Sequence, residues 1–230
     1  QSRMVRLVRC QQRKTHGGQT MNPTVCQYMT AGLADCIPAG ERGLWFVKKL
    51  TLKSGGFFPS GKFCGPGLYT VLLRLTNATL MKGGETVMAD NPHELRTHLN
   101  AAMKARGSVL VTGLGLACVA RMLQRNPRVE KITIIEREQH VIDLVWPHTS
   151  HDRIELIHAE AEQYLQKTNR KWYCASHDVW TDEDKDEGHL QLKHIRLMAR
   201  CIGKVPRQGA WALPRRHSRA FNDVAKSRTK

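Results

Sequence analysis

The stretch "SVLVTGLGLACVARML", residues 108–123, sets Gly113, Gly115 and Ala117 at alternate positions directly after a run of valine and leucine. Small residues at that spacing let a backbone approach a ligand with no Cβ in the way, and a following helix offers N–H groups that lack partners within the helix. The same spacing also makes a plain strand-to-helix turn. Three acids recur further along at comparable places: Glu136 closes "KITIIE", Glu160 comes two residues after "RIELIH", and Asp178 follows "WYCASH". Glu136 supplies a pair of acceptors that could hold both hydroxyls of a ribose, or it is simply a solvated strand end. His177, beside Asp178, could take a proton as general base or serve structure alone. Trp180 could stack on a base or cover a pocket, or it packs like most aromatics.

The segment "HDVWTDEDKDEGH", residues 177–189, carries Asp178, Asp182, Glu183, Asp184, Asp186 and Glu187 against Lys185, a local reversal in a chain of net charge +16. Such a concentration attracts a cationic substrate such as an amine and favours a sulfonium. Acids also gather at helix N-termini with no ligand involved. No metal-ligand spacing joins His177, Asp178 and Asp182, and no metal is expected.

These residues need a scaffold, and the pattern around them supplies one. From residue 108 apolar runs alternate with helical spacing. The strands read as "SVLVT", "KITIIE", "RIELIH", "WYCASHD" and "GAWALP". Between them Leu116, Val119, Ala120 and Leu123, then Val141, Leu144 and Val145, then Ala161, Tyr164 and Leu165 mark helix faces, and a broad apolar helix is expected over 190–202. The fold class is therefore α/β, a Rossmann-like parallel sheet with helices on both faces, truncated after strand 5. Upstream, "GLWFVKKLTL", "GLYTVLLRL" and "ETVMAD" are short runs punctuated by Gly and Pro, which predicts a small β-rich annex. A helix is signalled by Asn91 as N-cap and Pro92 at its first position, with Gly107 as its C-terminal cap. The expected organisation is a basic, poorly structured segment over 1–40, the annex over 41–90, the Rossmann-like domain over 91–216 and a basic tail over 217–230.

The charge is unevenly placed: residues 1–20 hold five basic residues and no acid, and residues 204–230 hold eight against Asp223 alone. Basic ends either bind nucleic acid by releasing counterions or are merely solvated. Seven scattered cysteines without a CxxC pair suggest neither disulfide framework nor zinc site and fit a reducing, cytoplasmic setting. No apolar run is long enough to cross a bilayer as a helix.

A dinucleotide fingerprint needs a third glycine or alanine where this chain has Cys118. The pattern Gly113, Gly115, Ala117, with Glu136 and then "HAEAEQYL", instead resembles the class I methyltransferase family, in its spermidine synthase-like branch. That resemblance implies S-adenosylmethionine, or its decarboxylated form, as cofactor. It assigns the glycine-rich first motif to Gly113, Gly115 and Ala117, the ribose acid to Glu136, and the "HGDA" stretch near adenine to His158, Ala159, Glu160 and Ala161. Asp178 falls where the family keeps an acid beside the sulfonium. "ADNPHELRTHL" is similar to the region ahead of the first motif in spermidine synthases, with Asp90, His93, Glu94 and His98 as counterparts. "VWTDED" stands where aminopropyl transferases have "SSDP", so only Asp182 lies near their second acid.

The resemblance thus implies an S-adenosylmethionine-dependent transferase, most simply one moving a methyl group to an amine or hydroxyl acceptor. Asp178, with His177, would orient and deprotonate the nucleophile; Tyr69, His93, Glu94, Trp180 and Asp182 would line the small-molecule side. The alternatives are a spermidine synthase-like aminopropyltransferase, or a non-catalytic nucleotide-binding protein that uses its basic ends on nucleic acid.

Overall fold

The computed structural model describes residues 32–58, 63–77, 83–149, 152–177 and 201–210, the stretch 202–210 as backbone. Two sheets organise it. The first is antiparallel, with β1 (Gly40–Arg42), β2 (Trp45–Leu52), β5 (Gly67–Arg74) and β6 (Glu85–Ala89) in the order β1-β2-β5-β6. A two-residue ladder of β3 (Gly56–Phe57) with β4 (Phe63–Cys64) sits in the long Gly- and Pro-rich connection between β2 and β5. This is the annex predicted from the sequence.

The second sheet is parallel throughout. It comprises β7 (Gly107–Thr112), β8 (Val129–Glu136), β9 (Ile154–His158), β10 (Trp172–His177) and β11 (Ile202–Ala210), ordered β11-β10-β7-β8-β9. In chain order the strands lie 3-2-1-4-5, the arrangement of a Rossmann-like sheet, and the direction of winding reverses between β7 and β10. Helices α1 (Pro92–Lys104), α2 (Cys118–Gln124) and α3 (Gln139–Val145) pack on one face. Helix α4 (Ala161–Lys167) packs on the other. Side-chain alternation along the strands divides the core accordingly: Val109, Val111, Ile132 and Ile134 face the first group, while Leu110 and Ile135 meet Ala161 and Leu165 of α4.

The first of these clusters continues into the annex. Val47, Leu72 and Met88 belong to the same buried cluster as the helix residues above. So do Leu33, Ala34 and Ile37, which shows that the ordered fold begins ahead of the boundary expected at residue 40. The physical reason is a polar network that carries no periodic signature. Buried Asp90 accepts the Thr70 N–H at 2.6 Å and the Ala34 N–H at 3.3 Å, and Lys49 Nζ donates to Thr70 Oγ1 at 2.8 Å and to the Ala34 carbonyl at 3.2 Å. Burial pushes the Asp90 carboxyl up, and the two N–H bonds oppose it.

Local signals placed most ends correctly. Asn91 caps α1 as expected, its side chain accepting from His93 N at 2.9 Å and Glu94 N at 3.0 Å, with Pro92 leading the helix. The other end differs. The helix stops at Lys104 with Ala105 in extended conformation, and Gly107 opens β7 instead of capping α1, its N–H donating to the Arg128 carbonyl. Asn126 takes over the closing role: its Nδ2 donates to the carbonyls of Ala102 and Ala105 at 2.9 and 2.8 Å, satisfying helix-end acceptors from another loop. The last strand also shifts. It runs Ile202–Ala210, so Ile202 belongs to strand and not helix, and Pro206 is tolerated because β11 lies at the edge of the described sheet. Of the helix expected over 190–202, residues 190–200 lie outside the described residues, as do the rest of "GAWALP", residues 1–31 of the basic N-terminal segment and the basic tail over 217–230.

Across the α4 face, Arg170 lies 5.3 Å from the Trp172 ring centroid and pairs with both oxygens of Glu155 at 2.9 and 2.8 Å; Lys131 Nζ adds a contact at 2.9 Å. The bond to Arg170, then that to Lys131, holds the Glu155 carboxyl down at about 2.

Both sets of contacts have measurable consequences for stability. Asn126→Ala, which strands two buried carbonyls, costs about 1–3 kcal/mol in urea denaturation, and a loss within error of zero would mean that the clamp contributes nothing. Because the folded pKa of Glu155 is depressed, its contribution is present above the unfolded carboxylate value and is lost as pH falls toward about 2. Wild type therefore loses more stability than Glu155→Gln between pH 5 and pH 2, by about 1 kcal/mol or less since the pair is part-exposed; parallel curves contradict the assignment.

Candidate functional site

Parallel strands that end in register put their last residues side by side. His177 pairs with Thr112, Thr112 with Ile135, and Glu136 with His158, so β10, β7, β8 and β9 present one continuous row at their carboxyl ends. This row lies beside the reversal point between β7 and β10, the place where open α/β sheets bind ligands. Of the residues singled out in the sequence, Gly113, Gly115, Ala117, Glu136, His158, Ala159, Glu160, Ala161 and His177 all fall on it or in the turns leaving it. Asp178, Trp180 and Asp182 lie outside the described residues.

The turn over 113–117 is held almost entirely by the protein itself. Gly113 N–H donates to the Ile135 carbonyl at 2.8 Å, Leu114 N–H to Glu136 Oε2 at 2.7 Å, and Ala117 N–H to the Leu114 carbonyl at 2.8 Å. Leu116 N–H points at a side chain that carries no signal in the sequence: Met88 Sδ of the annex, 3.2 Å away. Among the described residues, only Gly115 leaves its N–H in this turn without a protein acceptor. The reason for glycine at 115 is equally specific. Its φ is +48°, and a Cβ there would meet Met88 Sδ at 2.6 Å, inside any real contact distance. Gly115 is thus required by the annex as well as available to a ligand.

Ala117 is the departure from an all-glycine pattern, and the structure shows its consequence. With φ at 55° and ψ at 18°, it is the one non-glycine residue at positive φ among the described residues, and it is 2% exposed. A left-handed L-residue costs about 1–2 kcal/mol. Its buried methyl returns about 0.8 kcal/mol, and a glycine would add about 0.4–1 kcal/mol of unfolded-chain entropy. The terms nearly cancel, which is why alanine is tolerated.

Glu136 is a clamp before it is a ligand. Oε1 accepts the N–H groups of Arg137 and Glu138, each at 2.8 Å, while Oε2 accepts Leu114 N–H. A carboxylate has about four acceptor positions, so about one remains open on Oε2. A single hydroxyl fits that opening; holding two would displace a backbone donor. Glu160 likewise does local work, capping α4 by accepting Gln163 N–H at 3.0 Å through Oε2. His158 Nε2 lies 3.0 Å from the Arg137 carbonyl and ties the two strand-end turns together.

His177 is wholly buried, with Nδ1 3.1 Å from Thr112 Oγ1. Thr112, also buried, was not selected from the sequence; the available signal was a hydroxyl ending an otherwise apolar strand. The remaining candidates each have local partners or surroundings. Tyr69 is buried in the annex's outer cluster, edge-on to Phe58 at 5.2 Å, with its hydroxyl donating to the Gly65 carbonyl at 2.8 Å. His93 is exposed at the start of α1, with Nε2 2.8 Å from the Phe63 carbonyl, and Glu94 is half-buried beside it. His98 is buried within α1. Among the described residues no group of three or more His, Cys, Asp or Glu is placed to hold a metal ion. Cys36, Cys64, Cys118, Cys174 and Cys201 carry free thiols. No described helix is long and apolar enough to cross a membrane.

Five parallel strands in this order, with a small-residue turn after the first and an acid ending the second, form a Rossmann-like sheet. Neither a family model nor a curated protein matches the sequence. Among solved structures, the chain is similar to a spermidine synthase in complex with the transition-state analogue AdoDATO, with a TM-score of 0.48, 15% identity, and coverage of 84% of this chain and 61% of that one. It is similar to the spermidine synthase from Thermotoga maritima with a TM-score of 0.43, 16% identity, and coverage of 73% and 53%. It is also similar to the SAH-bound Podospora anserina methyltransferase PaMTH1, with a TM-score of 0.40, 15% identity, and coverage of 61% and 67%. The chain thus spans between about half and three fifths of the two spermidine synthases. At these TM-scores and identities the likenesses carry no argument about the chemistry, which rests on the chain's own residues.

The balance of terms at Ala117 makes a prediction. Ala117→Gly shifts stability by less than about 1 kcal/mol in either direction, whereas Ala117→Val, β-branched at positive φ in a full core, costs about 2–4 kcal/mol. Equal effects of the two substitutions on the thermal midpoint would contradict the strained conformation.

Proposed function

We propose that the protein is an S-adenosylmethionine-dependent transferase, most simply a methyltransferase acting on an amine or hydroxyl acceptor. The observation that carries this reading is the strand-end row itself: the turn over 113–117 beside the reversal point, the Glu136 carboxylate bonded to that turn, and Glu160 after the next strand follow one another along the carboxyl ends of β7, β8 and β9. One open acceptor position on Glu136 suits a ribose hydroxyl, and Gly115 N–H suits a polar group of the ligand's tail. Ala161 and the half-buried Ala159 would border the adenine beside Glu160.

When bound, an adenosyl sulfonium supplies an electrophilic carbon. Displacement at that carbon by the acceptor's lone pair would leave the old carbon–sulfur pair on sulfur and would require the acceptor's proton to be taken up. The protein's share is to align the acceptor and receive that proton. Asp178 is the proposed base and His177 the residue that orients the strand end behind it, consistent with its complete burial against Thr112. Trp180 and Asp182 are proposed to border a cationic acceptor, with His93 and Glu94 contributed from α1. Tyr69, whose hydroxyl is occupied within the annex, would act on that side through packing.

Isothermal titration with S-adenosylmethionine, its decarboxylated form and its demethylated product tests this proposal. Wild type binds the first and third, and Glu136→Ala weakens both about 10- to 100-fold, as loss of a charged acceptor implies. No binding of any of the three by wild type would sink the reading. Binding of the decarboxylated form alone transfers the assignment to aminopropyl transfer, since only that form lacks the carboxylate.

A further inference from the structure

We infer that Met88 is a positioning residue for the ligand held by the turn over 113–117, a role that rests on the transferase reading above. Met88 belongs to the annex, yet its thioether makes two contacts on the parallel sheet's turn. It accepts the Leu116 N–H at 3.2 Å, and it occupies the space beside Gly115 that any Cβ would claim. Both groups are removed from water: Met88 is 4% exposed and Leu116 wholly buried. A buried N–H with no acceptor is costly, so the turn keeps its shape only while an acceptor stands at that point.

The consequence concerns which donor the turn offers. Gly113, Leu114, Leu116 and Ala117 all have their N–H groups bonded within the protein, which leaves that of Gly115 without an acceptor among the described residues. Met88 thereby narrows the turn's recognition to a single amide, and it does so with a neutral, polarisable acceptor that adds no negative charge beside the ligand. A carboxylate or amide side chain at 88 could satisfy Leu116 equally, but a carboxylate would set an anion against the proposed ligand's tail. The annex is therefore part of the cofactor site, through one sulfur atom.

Three variants of the full chain separate positioning from bulk. Met88→Leu keeps the apolar volume and removes the acceptor, Met88→Gln restores an acceptor, and Val47→Ala loosens the same buried cluster without touching the turn. The measurements are amide hydrogen exchange at Leu116 and titration with S-adenosylmethionine. Met88→Leu is expected to accelerate exchange at Leu116 and to weaken binding, each about tenfold, with Met88→Gln recovering most of both and Val47→Ala changing neither while lowering the thermal midpoint. Unchanged exchange in Met88→Leu overturns the inference, and so does accelerated exchange with wild-type affinity. Absence of binding by wild type instead overturns the transferase reading, and exchange at Leu116 then decides by itself whether Met88 clamps the turn.

Discussion

Parallel hydrogen bonding fixes where everything polar in this protein sits. In a parallel ladder the strands run in one direction, so their carboxyl ends gather on one side, and side chains that finish an apolar run arrive there together. Here the register from His177 through Thr112 and Ile135, and from Glu136 to His158, leaves no freedom to move one strand-end residue without breaking a ladder. The site is a consequence of sheet pairing before it is a consequence of any single residue.

Several of its members have structural duties that shape their chemistry. Glu136 spends three acceptor positions on backbone N–H groups, tying the β8 turn to the β7 turn, and Glu160 caps the helix it precedes. Preorganisation of this kind removes rotamer freedom, which would lower the entropy cost of binding a ligand there. It also limits capacity, because a carboxylate already accepting three bonds has room for about one more.

The annex contributes through packing against the parallel sheet. Its inner face is continuous with the core of the parallel sheet, and Met88 Sδ reaches the Leu116 N–H at 3.2 Å. Its outer face holds a distinct cluster around Tyr69, Val71 and Leu73, which accounts for Tyr69 being an annex core residue. A shared core also explains why Leu33, Ala34 and Ile37 are buried: the network of Asp90, Thr70 and Lys49 pins that segment to the sheet from its polar side.

What the sequence determined by itself is everything that depends on neighbours in the chain. Strand runs over 107–177, the Asn91–Pro92 helix start and the placement of Gly113, Glu136 and Glu160 at element ends are local patterns of period and capping, and the fold carries them. Where a contact joins distant segments the sequence was silent. Nothing in "ETVMAD" distinguishes Met88 from a core methionine until Gly115 is seen beneath it, and Gly107 reads as a helix cap until Asn126 is found closing α1 from 21 residues beyond Ala105. Glu136 illustrates the division within one residue. Its position was legible from the run that precedes it, but its remaining acceptor capacity was set by three N–H groups that only the folded turns bring to it.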